Sequence, residues 1–382
     1  MIMQQDKILI LSGTLGDGHM QAAKAIVEAS EICKPGMSVK VIDLMEWIHP
    51  RMHVIERYCF LQGVKHLPSL YGFLYQKTRE DNPLIGWMKK FRQSSLHRLL
   101  ELIRQEKPSV LVSTFPPASA ALSLLKEKRM TSLTAVTIIT DHSDHSYWIH
   151  PHTDLYLVGS QEVGEALLKK QVPLHKIVVT GIPVRPSYNQ SSCKKQLREK
   201  LGLDPAAFVV MVMGGGFGMI KGNFVEQLKS NQFPSNVQFV FVCGRNVKLL
   251  HRMSEALQGR DNILLKGYID GIQDWMACAD VLITKPGGLT TSEAQALQLP
   301  MILFESTLGQ ERDNANYLTR KGVAVWCQDD RLPAQLQQMM ENPAILQTMR
   351  EKAGSSRQQH SAIHAVRQIM NLSAPALQYG YV

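Results

Sequence analysis

Two doubly wound α/β domains, each a parallel sheet with helices on both faces, are the fold that this 382-residue chain predicts. Three observations carry that expectation. Short continuous apolar runs alternate with helical stretches along the whole chain, which is how strands buried on both faces read. The rhythm comes in two sets, separated near Gly181-Ile-Pro-Val-Arg-Pro186. The length suits two domains at a loose prior of about 150 residues each.

The elements follow in order. Lys7–Leu11 reads as a buried strand, followed by a Gly-rich turn and a helix from about Met20 to Cys33. Further strands are expected at Val39–Asp43, Val110–Val112, Ala135–Thr140, Leu155–Val158 and Ile177–Thr180. The second set comprises Phe208–Met213, Val237–Cys243, Ile263–Lys266, Val281–Thr284 and Met301–Phe304. The expected boundaries are 1–183 for the first domain and 184–360 for the second, with 361–382 a tail packing back toward the first. In open α/β sheets the ligand lies beyond the carboxyl ends of the strands, so two facing domains predict a cleft between them.

Composition excludes several classes. With 45% hydrophobic and 20% charged residues the chain is neither disordered nor collagen-like. No apolar run approaches the roughly 20 residues of a membrane span, and the first seven residues do not read as a signal peptide. The six cysteines are scattered without a Cys-x-x-Cys pair, as reduced thiols are. A net charge of +9 fits attraction to an anionic partner. Between Lys65 and Lys107 nine Lys/Arg face four acids, so more than half of the excess sits there. No nucleic-acid reading motif accompanies it, so nucleic acid is not the expected partner.

Three glycine-rich turns follow strands. Ser12-Gly-Thr-Leu-Gly-Asp-Gly-His-Met-Gln-Ala-Ala23 places His19 near a helix start, where an imidazole can take a proton from an alcohol. A plain strand–turn–helix connection with an exposed histidine is the simpler alternative, and the spacing is not the dinucleotide fingerprint Gly-x-Gly-x-x-Gly. Met213-Gly-Gly-Gly-Phe-Gly218 clears side chains so that backbone amides can approach phosphate oxygens. Thr284-Lys-Pro-Gly-Gly-Leu-Thr-Thr-Ser-Glu293 is the strongest: Gly287 and Gly288 turn, Thr290 to Ser292 open a helix, and its amides suit a diphosphate. Glu293, expected in the first turn, either accepts from a ribose diol or complements the helix dipole. Lys285 either meets phosphate or is solvated. Gln310 and Glu311, in Gly309-Gln-Glu-Arg-Asp-Asn-Ala-Asn316, read as sugar-hydroxyl contacts or as a polar surface turn.

The segment 140–152 holds four histidines and two aspartates, yet the spacings match no zinc pattern, so structural or substrate contacts are favoured over metal. No Asp-x-Asp is present to hold a metal-bound nucleotide diphosphate. The stretch Pro83–Arg104 mixes basic and bulky apolar residues at helical spacing. Its later residues Leu96, Leu99, Leu100 and Ile103 are expected in a core. Its earlier half, with Trp87, Lys89, Lys90, Phe91 and Arg92, is expected to meet anionic lipid.

Taken in order, Gly-Asp-Gly-His-x-x-Ala-Ala near the start, Thr114-Phe-Pro-Pro117, Thr140-Asp with Trp148-Ile-His150, Gly181-Ile-Pro-Val-Arg-Pro186, Cys243-Gly-Arg-Asn246, Lys285-Pro-Gly-Gly288 and Gly309-Gln-Glu311 resemble glycosyltransferase family 28. Within it the chain is similar to bacterial processive diacylglycerol β-glucosyltransferases and plant monogalactosyldiacylglycerol synthases, from about residue 7 to 355. Asp17 departs from the small or amide residue that many relatives carry. The resemblance implies a GT-B fold, an acceptor domain followed by a UDP-sugar domain, and inverting transfer with no required metal. It implies that Gly215, Gly216, Arg245 and Tyr268 face the nucleotide, with Tyr268 near uracil. It further implies Gly287, Gly288, Leu289, Thr290 and Thr291 at the diphosphate, Glu293 at the ribose, and Gln310 and Glu311 at the hexose. His19 is the candidate base, with Asp141 as competitor or orienting partner. The expected partners are a UDP-sugar as co-substrate, diacylglycerol and an anionic membrane surface, at the cytoplasmic face of the cell membrane. The alternatives are transfer to a lipid-linked peptidoglycan precursor, sugar-nucleotide 2-epimerisation, and a non-catalytic UDP-sugar sensor.

Overall fold

The structure, a computed structural model, describes residues 7–14, 16–50, 52–55, 58, 62–63, 67–80, 93–190, 193–215, 222–229, 233, 236–304 and 309–373. The chain divides into two compact units, Met1–Pro186 with His360–Val382, and Ser187–Gln359.

The first unit runs β1 (Lys7–Ser12), α1 (Asp17–Cys33), β2 (Ser38–Asp43), α2 (Leu44–Ile48), α3 (Pro68–Lys77), α4 (Gln93–Glu106), β3 (Val110–Ser113), α5 (Pro116–Glu127), β4 (Thr134–Ile138), β5 (Leu155–Val158), α6 (Gln161–Lys169) and β6 (Ile177–Val179). Its six strands form one sheet in the order β2-β1-β3-β4-β5-β6, every pair parallel. Successive side chains of a strand point to opposite faces. Accordingly Ile8 and Ile10 pack with Ala22-side residues of α1 such as Ala23 and Ile26, whereas Leu9 and Leu11 pack with Leu99 and Ile103 of α4 and Ala121 of α5. Leu96, Leu99, Leu100 and Ile103 are buried, as their spacing predicts. The residues from Trp87 to Arg92 expected to meet lipid lie outside the described residues.

The second unit runs α7 (Lys194–Leu201), β7 (Phe208–Met213), α8 (Gly222–Lys229), β8 (Val237–Val242), α9 (Val247–Ala256), β9 (Ile263–Lys266), α10 (Ile272–Cys278), β10 (Val281–Thr284), α11 (Gly288–Ala296), β11 (Met301–Phe304), α12 (Gly309–Lys321), β12 (Ala324–Cys327), α13 (Leu332–Glu341) and α14 (Pro343–Ser356). The sheet order is β12-β11-β10-β7-β8-β9, again all parallel. Numbered within the unit this is the 3-2-1-4-5-6 order of a dinucleotide-binding sheet. The edge strand β12 escapes the sequence reading because Ala-Val-Trp-Cys, half of it only half-buried, lacks the Val/Ile/Leu run that marks the equally short strands β5 and β10. Phe239, Phe241, Ile283 and Ile302 bury one sheet face against Leu249 and Met253 of α9, Leu336 of α13 and Met349 of α14.

The last helix among the described residues is α15 (Ser361–Ser373), which packs on α1 of the first unit. Ala365, Val366 and Ile369 enter the core beside Ala25 and Ala29, small residues that let two helices approach closely. Ser361 Oγ accepts from the Val184 amide at 3.2 Å.

Candidate functional site

Strand order fixes two special places. In the first sheet the order reverses between β1 and β3, and in the second between β7 and β10. Loops leaving such neighbours at their carboxyl ends diverge to opposite faces and open a crevice there. The loops carrying His19 and Thr114 leave β1 and β3, and those carrying Gly215 and Lys285 leave β7 and β10. The three glycine-rich turns after β1, β7 and β10 therefore start at one of two switch points.

At the first switch point the turn after β1 is shaped by Phe115. A Cβ on Gly13 would lie 2.7 Å from the Phe115 ring, so only glycine fits without displacing it. Helix α1 starts at Asp17, three residues before the predicted Met20, with Gly16 as an N-cap that supplies no side-chain bond. His19 thus sits in the first turn. Thr114 Oγ1 donates to the His19 carbonyl at 3.1 Å, and Thr140 Oγ1 lies 3.1 Å from His19 Nδ1. The ring packs against Phe115 at 5.2 Å and edge-on to buried Trp148 at 6.0 Å.

His19 is half-buried, not an exposed residue on a plain turn. Burial lowers its imidazole to about 4, against a hydrogen bond with the Thr114 backbone that opposes the shift. It is therefore neutral at physiological pH and able to accept a proton. The strand predicted to reach Thr140 ends at Ile138, which frees Thr140 to turn toward His19. Asp141 follows directly and is itself half-buried. Tyr147 has its phenol pushed well above the ordinary range by burial, then by the neighbouring Tyr75 and the charge of Asp141.

Two of the four histidines of 140–152 have imidazoles bonded to backbone groups. His145 Nε2 pairs with the Tyr75 carbonyl at 2.8 Å, and its Nδ1 accepts from the Tyr147 amide at 3.2 Å. His150 Nε2 meets the Tyr147 carbonyl at 3.0 Å, and burial lowers its imidazole to about 4. Among the described residues no cluster of His, Cys, Asp or Glu could hold a metal ion.

At the second switch point, Gly215 adopts φ +72°, a left-handed conformation that favours glycine. A Cβ there would lie 3.2 Å from Lys285 Cε. Gly216 lies outside the described residues. Helix α11 begins at Gly288 with Gly287 as its extended N-cap, and no side chain caps its first amides. Those amides are open to an anion. Leu289 and Thr291 are buried and Thr290 is half-buried. The hydroxyls of Thr291 and Ser292 fold back onto the carbonyls of Gly287 and Gly288 at 2.9 and 2.7 Å.

Because the helix starts at Gly288 and not near Thr290, Glu293 lies beyond the first turn, which contains no acid. The sequence expectation is corrected on this point, and with it the dipole-complementing role. Glu293 is buried. Lys285, expected to be solvated or on phosphate, has Nζ 2.9 Å from Oε1 of buried Glu311. Asn314 Nδ2 donates to the Pro286 carbonyl at 3.0 Å, a second tie between α12 and the loop after β10. Gln310 and Glu311 occupy the first turn of α12. After β8 and β9 the Arg245 guanidinium stacks 4.4 Å over the ring of exposed Tyr268.

The motifs read from the sequence contain Thr114, Phe115, Thr140, Trp148 and Asn314 but give them no role at the site. Their contacts are with residues distant in the chain, for example 121 residues between Thr140 and His19, so the motifs alone do not show what they support.

Comparison with known proteins adds the following. The family description "Monogalactosyldiacylglycerol (MGDG) synthase" matches residues 19–184, and "Glycosyltransferase family 28 C-terminal domain" matches residues 209–369. A processive diacylglycerol β-glucosyltransferase of Bacillus cereus is 32% identical over 373 residues, 97% of this chain and 94% of its own. Another, of Staphylococcus carnosus, is 30% identical over 325 residues, 85% of this chain and 81% of its own. Among solved structures, S. aureus MnaA with UDP has a TM-score of 0.62 at 16% identity, covering 96% of this chain and 97% of that one. Anabaena HepE with UDP has a TM-score of 0.58 at 15% identity, covering 96% and 98%. These likenesses establish the fold as GT-B, with two Rossmann-like domains.

Proposed function

The chain belongs to glycosyltransferase family 28, and from that premise we propose that it moves a hexose, glucose favoured, from a UDP-sugar to the free hydroxyl of diacylglycerol with inversion. The observation that carries the reading is the 32% identity over nearly the whole chain to relatives named for that reaction. The two switch-point sites supply chemistry that suits it.

The acceptor oxygen attacks C1 of the sugar from the face opposite UDP, so an α-linked donor gives a β-glycoside. The acceptor proton passes to a base as the new C–O bond forms, and the electron pair of the C1–O bond leaves with UDP. His19, neutral through burial, is the candidate base, with Asp141 beside Thr140 as its competitor or as the group that orients the acceptor. The low proton affinity of His19 favours transfer concerted with bond formation. Departing UDP is stabilised by the first amides of α11, at Gly287 to Thr290, in place of a required cation. Arg245 and Tyr268 receive the uracil, Gly215 and Gly216 the nucleotide, Glu293 the ribose, and Gln310 and Glu311 the hexose.

Diacylglycerol stays in the bilayer, and no helix among the described residues is long and apolar enough to cross a membrane. The enzyme is therefore assigned to the bilayer surface, on the cytoplasmic face where UDP-sugars are available. Trp87, Lys89, Lys90, Phe91 and Arg92 belong to the basic segment assigned to that contact. Purified protein incubated with diacylglycerol vesicles and radiolabelled UDP-glucose or UDP-galactose, in EDTA, tests the reading. A labelled lipid on thin-layer chromatography from one donor is the expected result, and slower bands would mark repeated transfer. UDP binding without any lipid product would overturn it.

A further inference from the structure

A cavity of about 510 Å³ opens in the first unit between the last turns of α4 and α5 and the turn that leads into β4. That volume is in the range of sites that take small molecules. Helix α4 runs into β3 and α5 into β4, so the cavity lies at the amino edge of the sheet. His19 and Thr114 sit at the carboxyl edge, and the length of the strands separates a ligand here from them.

The lining is divided by chemistry. Leu100 and Ile103 of α4 are buried and, with half-buried Met130, form an apolar floor. Arg104, Lys126 and Arg129 supply charge, and no acid among the described residues lines the cavity. Lys126 is paired with Asp154. Arg104 and Arg129 are exposed and have no hydrogen-bonded or ionic partner among the described residues. Two positive charges therefore stand uncompensated at the mouth of an apolar floor. Beside them Thr131 Oγ1 accepts from the Leu133 amide at 3.2 Å, which leaves its own proton to donate.

The backbone does not call for an arginine at 129. The Met130 amide donates to the Leu125 carbonyl and the Arg129 amide to the Lys126 carbonyl, each at 2.9 Å, and this closure of α5 holds Arg129 at φ +56°. Glycine is the usual residue there, because a Cβ is strained in the left-handed region. A cation in each last turn, Arg104 and Lys126, already complements the two helix dipoles. The third, in a strained position past the helix end, adds charge to the cavity.

We propose that this cavity binds a soluble phosphate monoester carrying a compact apolar group. Two guanidiniums match the roughly two negative charges of such an ester at neutral pH, and their fork geometry fits its oxygens. The floor takes the ester group. No exposed large apolar side chain among the described residues lies on α4, α5 or the turn after α5, so nothing around the mouth enters a bilayer and the ligand comes from solution.

Calorimetry of the full chain with phenyl phosphate, inorganic phosphate and phosphatidate vesicles tests it, each with and without excess UDP. Phenyl phosphate should bind about tenfold more tightly than inorganic phosphate, because only it covers the apolar floor. Excess UDP should leave that binding unchanged. Arg104→Ala should weaken it by about tenfold or more. Arg129→Gly should weaken it as much while the thermal midpoint holds or rises, since glycine relieves the left-handed backbone. An arginine with a merely structural role does not part binding from stability in this way. If Arg129→Gly fails to fold, Arg104→Ala decides alone. The proposal is overturned if phenyl phosphate does not bind, if UDP displaces it, or if either folded variant retains full affinity. Equal affinity for inorganic phosphate, or binding of phosphatidate vesicles alone, also overturns it.

Discussion

Lys285 Nζ lies 2.9 Å from Glu311 Oε1, joining the carboxyl end of β10 to the first turn of α12 across 26 residues of sequence. Glu311 is 5% exposed, so the ion pair holds a charge that water barely reaches. Lys285 also borders Gly215 from the loop after β7. One lysine therefore ties together the elements assigned to nucleotide, diphosphate and hexose. Lys285→Met should lower kcat/KM for UDP-glucose by about a hundredfold and cost roughly 3 kcal/mol of stability by removing the ion-pair partner of a buried carboxylate. A double-mutant cycle with Glu311→Gln, read by calorimetric UDP-glucose affinity and thermal midpoint, should show coupling of about 1–3 kcal/mol. Strict additivity would mean that the pair is incidental.

His19→Ala should reduce kcat by about 10²–10⁴ while leaving UDP affinity intact, since a general base acts on the acceptor and not on the nucleotide. Asp141→Asn separates the two candidates. A comparable kcat loss with unchanged diacylglycerol KM would give Asp141 the proton-accepting role, whereas a raised KM alone would give it acceptor orientation.

The buried histidines set a pH dependence of stability. His19 and His150 both have imidazoles lowered to about 4, below their ordinary 6.5. Between those values the unfolded chain takes up protons that the folded chain refuses, so stability falls as pH drops from about 6.5 to about 4. The loss from pH 7 to pH 5 should be about 2 kcal/mol for each histidine. Urea midpoints at the two pH values measure it, and His150→Gln should remove about half of the effect if the two sites act independently.

The fit of Gly13 against Phe115 should make Gly13→Ala destabilising by about 1–3 kcal/mol through overpacking. Combining it with Phe115→Leu should recover part of that loss. Chemical denaturation of the single and double variants checks both expectations, and a neutral single variant would show that the turn is free to shift.

Tyr268 carries the Arg245 guanidinium over its ring and is 45% exposed, so an aromatic ring is offered at the surface where a flat base could stack. Tyr268→Ala should weaken UDP binding by about 1–2 kcal/mol, whereas Tyr268→Phe should retain most of it, because stacking and not the hydroxyl is at stake. Equal losses in the two variants would point to the phenol oxygen instead.

Much of the fold was legible because its signals are local. Leu9 and Leu11, or Phe239 and Phe241, announce strands by apolar character alone, and Gly287-Gly288 announces a turn whatever lies around it. Helix starts were less legible: α11 begins at Gly288, two residues before Thr290, because its N-cap is Gly287, which carries no capping side chain to mark the start. The candidate residues themselves were found by motif, but their states were not. His19 reads the same in a string whether exposed or shielded by Phe115 and Trp148, and Lys285 the same whether solvated or paired.

The sequence by itself determined the parallel α/β character, the positions of eleven of the twelve strands and the glycine turns, because each depends on a few consecutive residues. Only the tertiary structure decided strand order, and with it the two switch points that bring β1 beside β3 and β7 beside β10. It also decided that Thr140 meets His19 and that Glu311 pairs with Lys285. Those outcomes depend on which distant surfaces lose water against one another, and burial of that kind is a property of the packed chain.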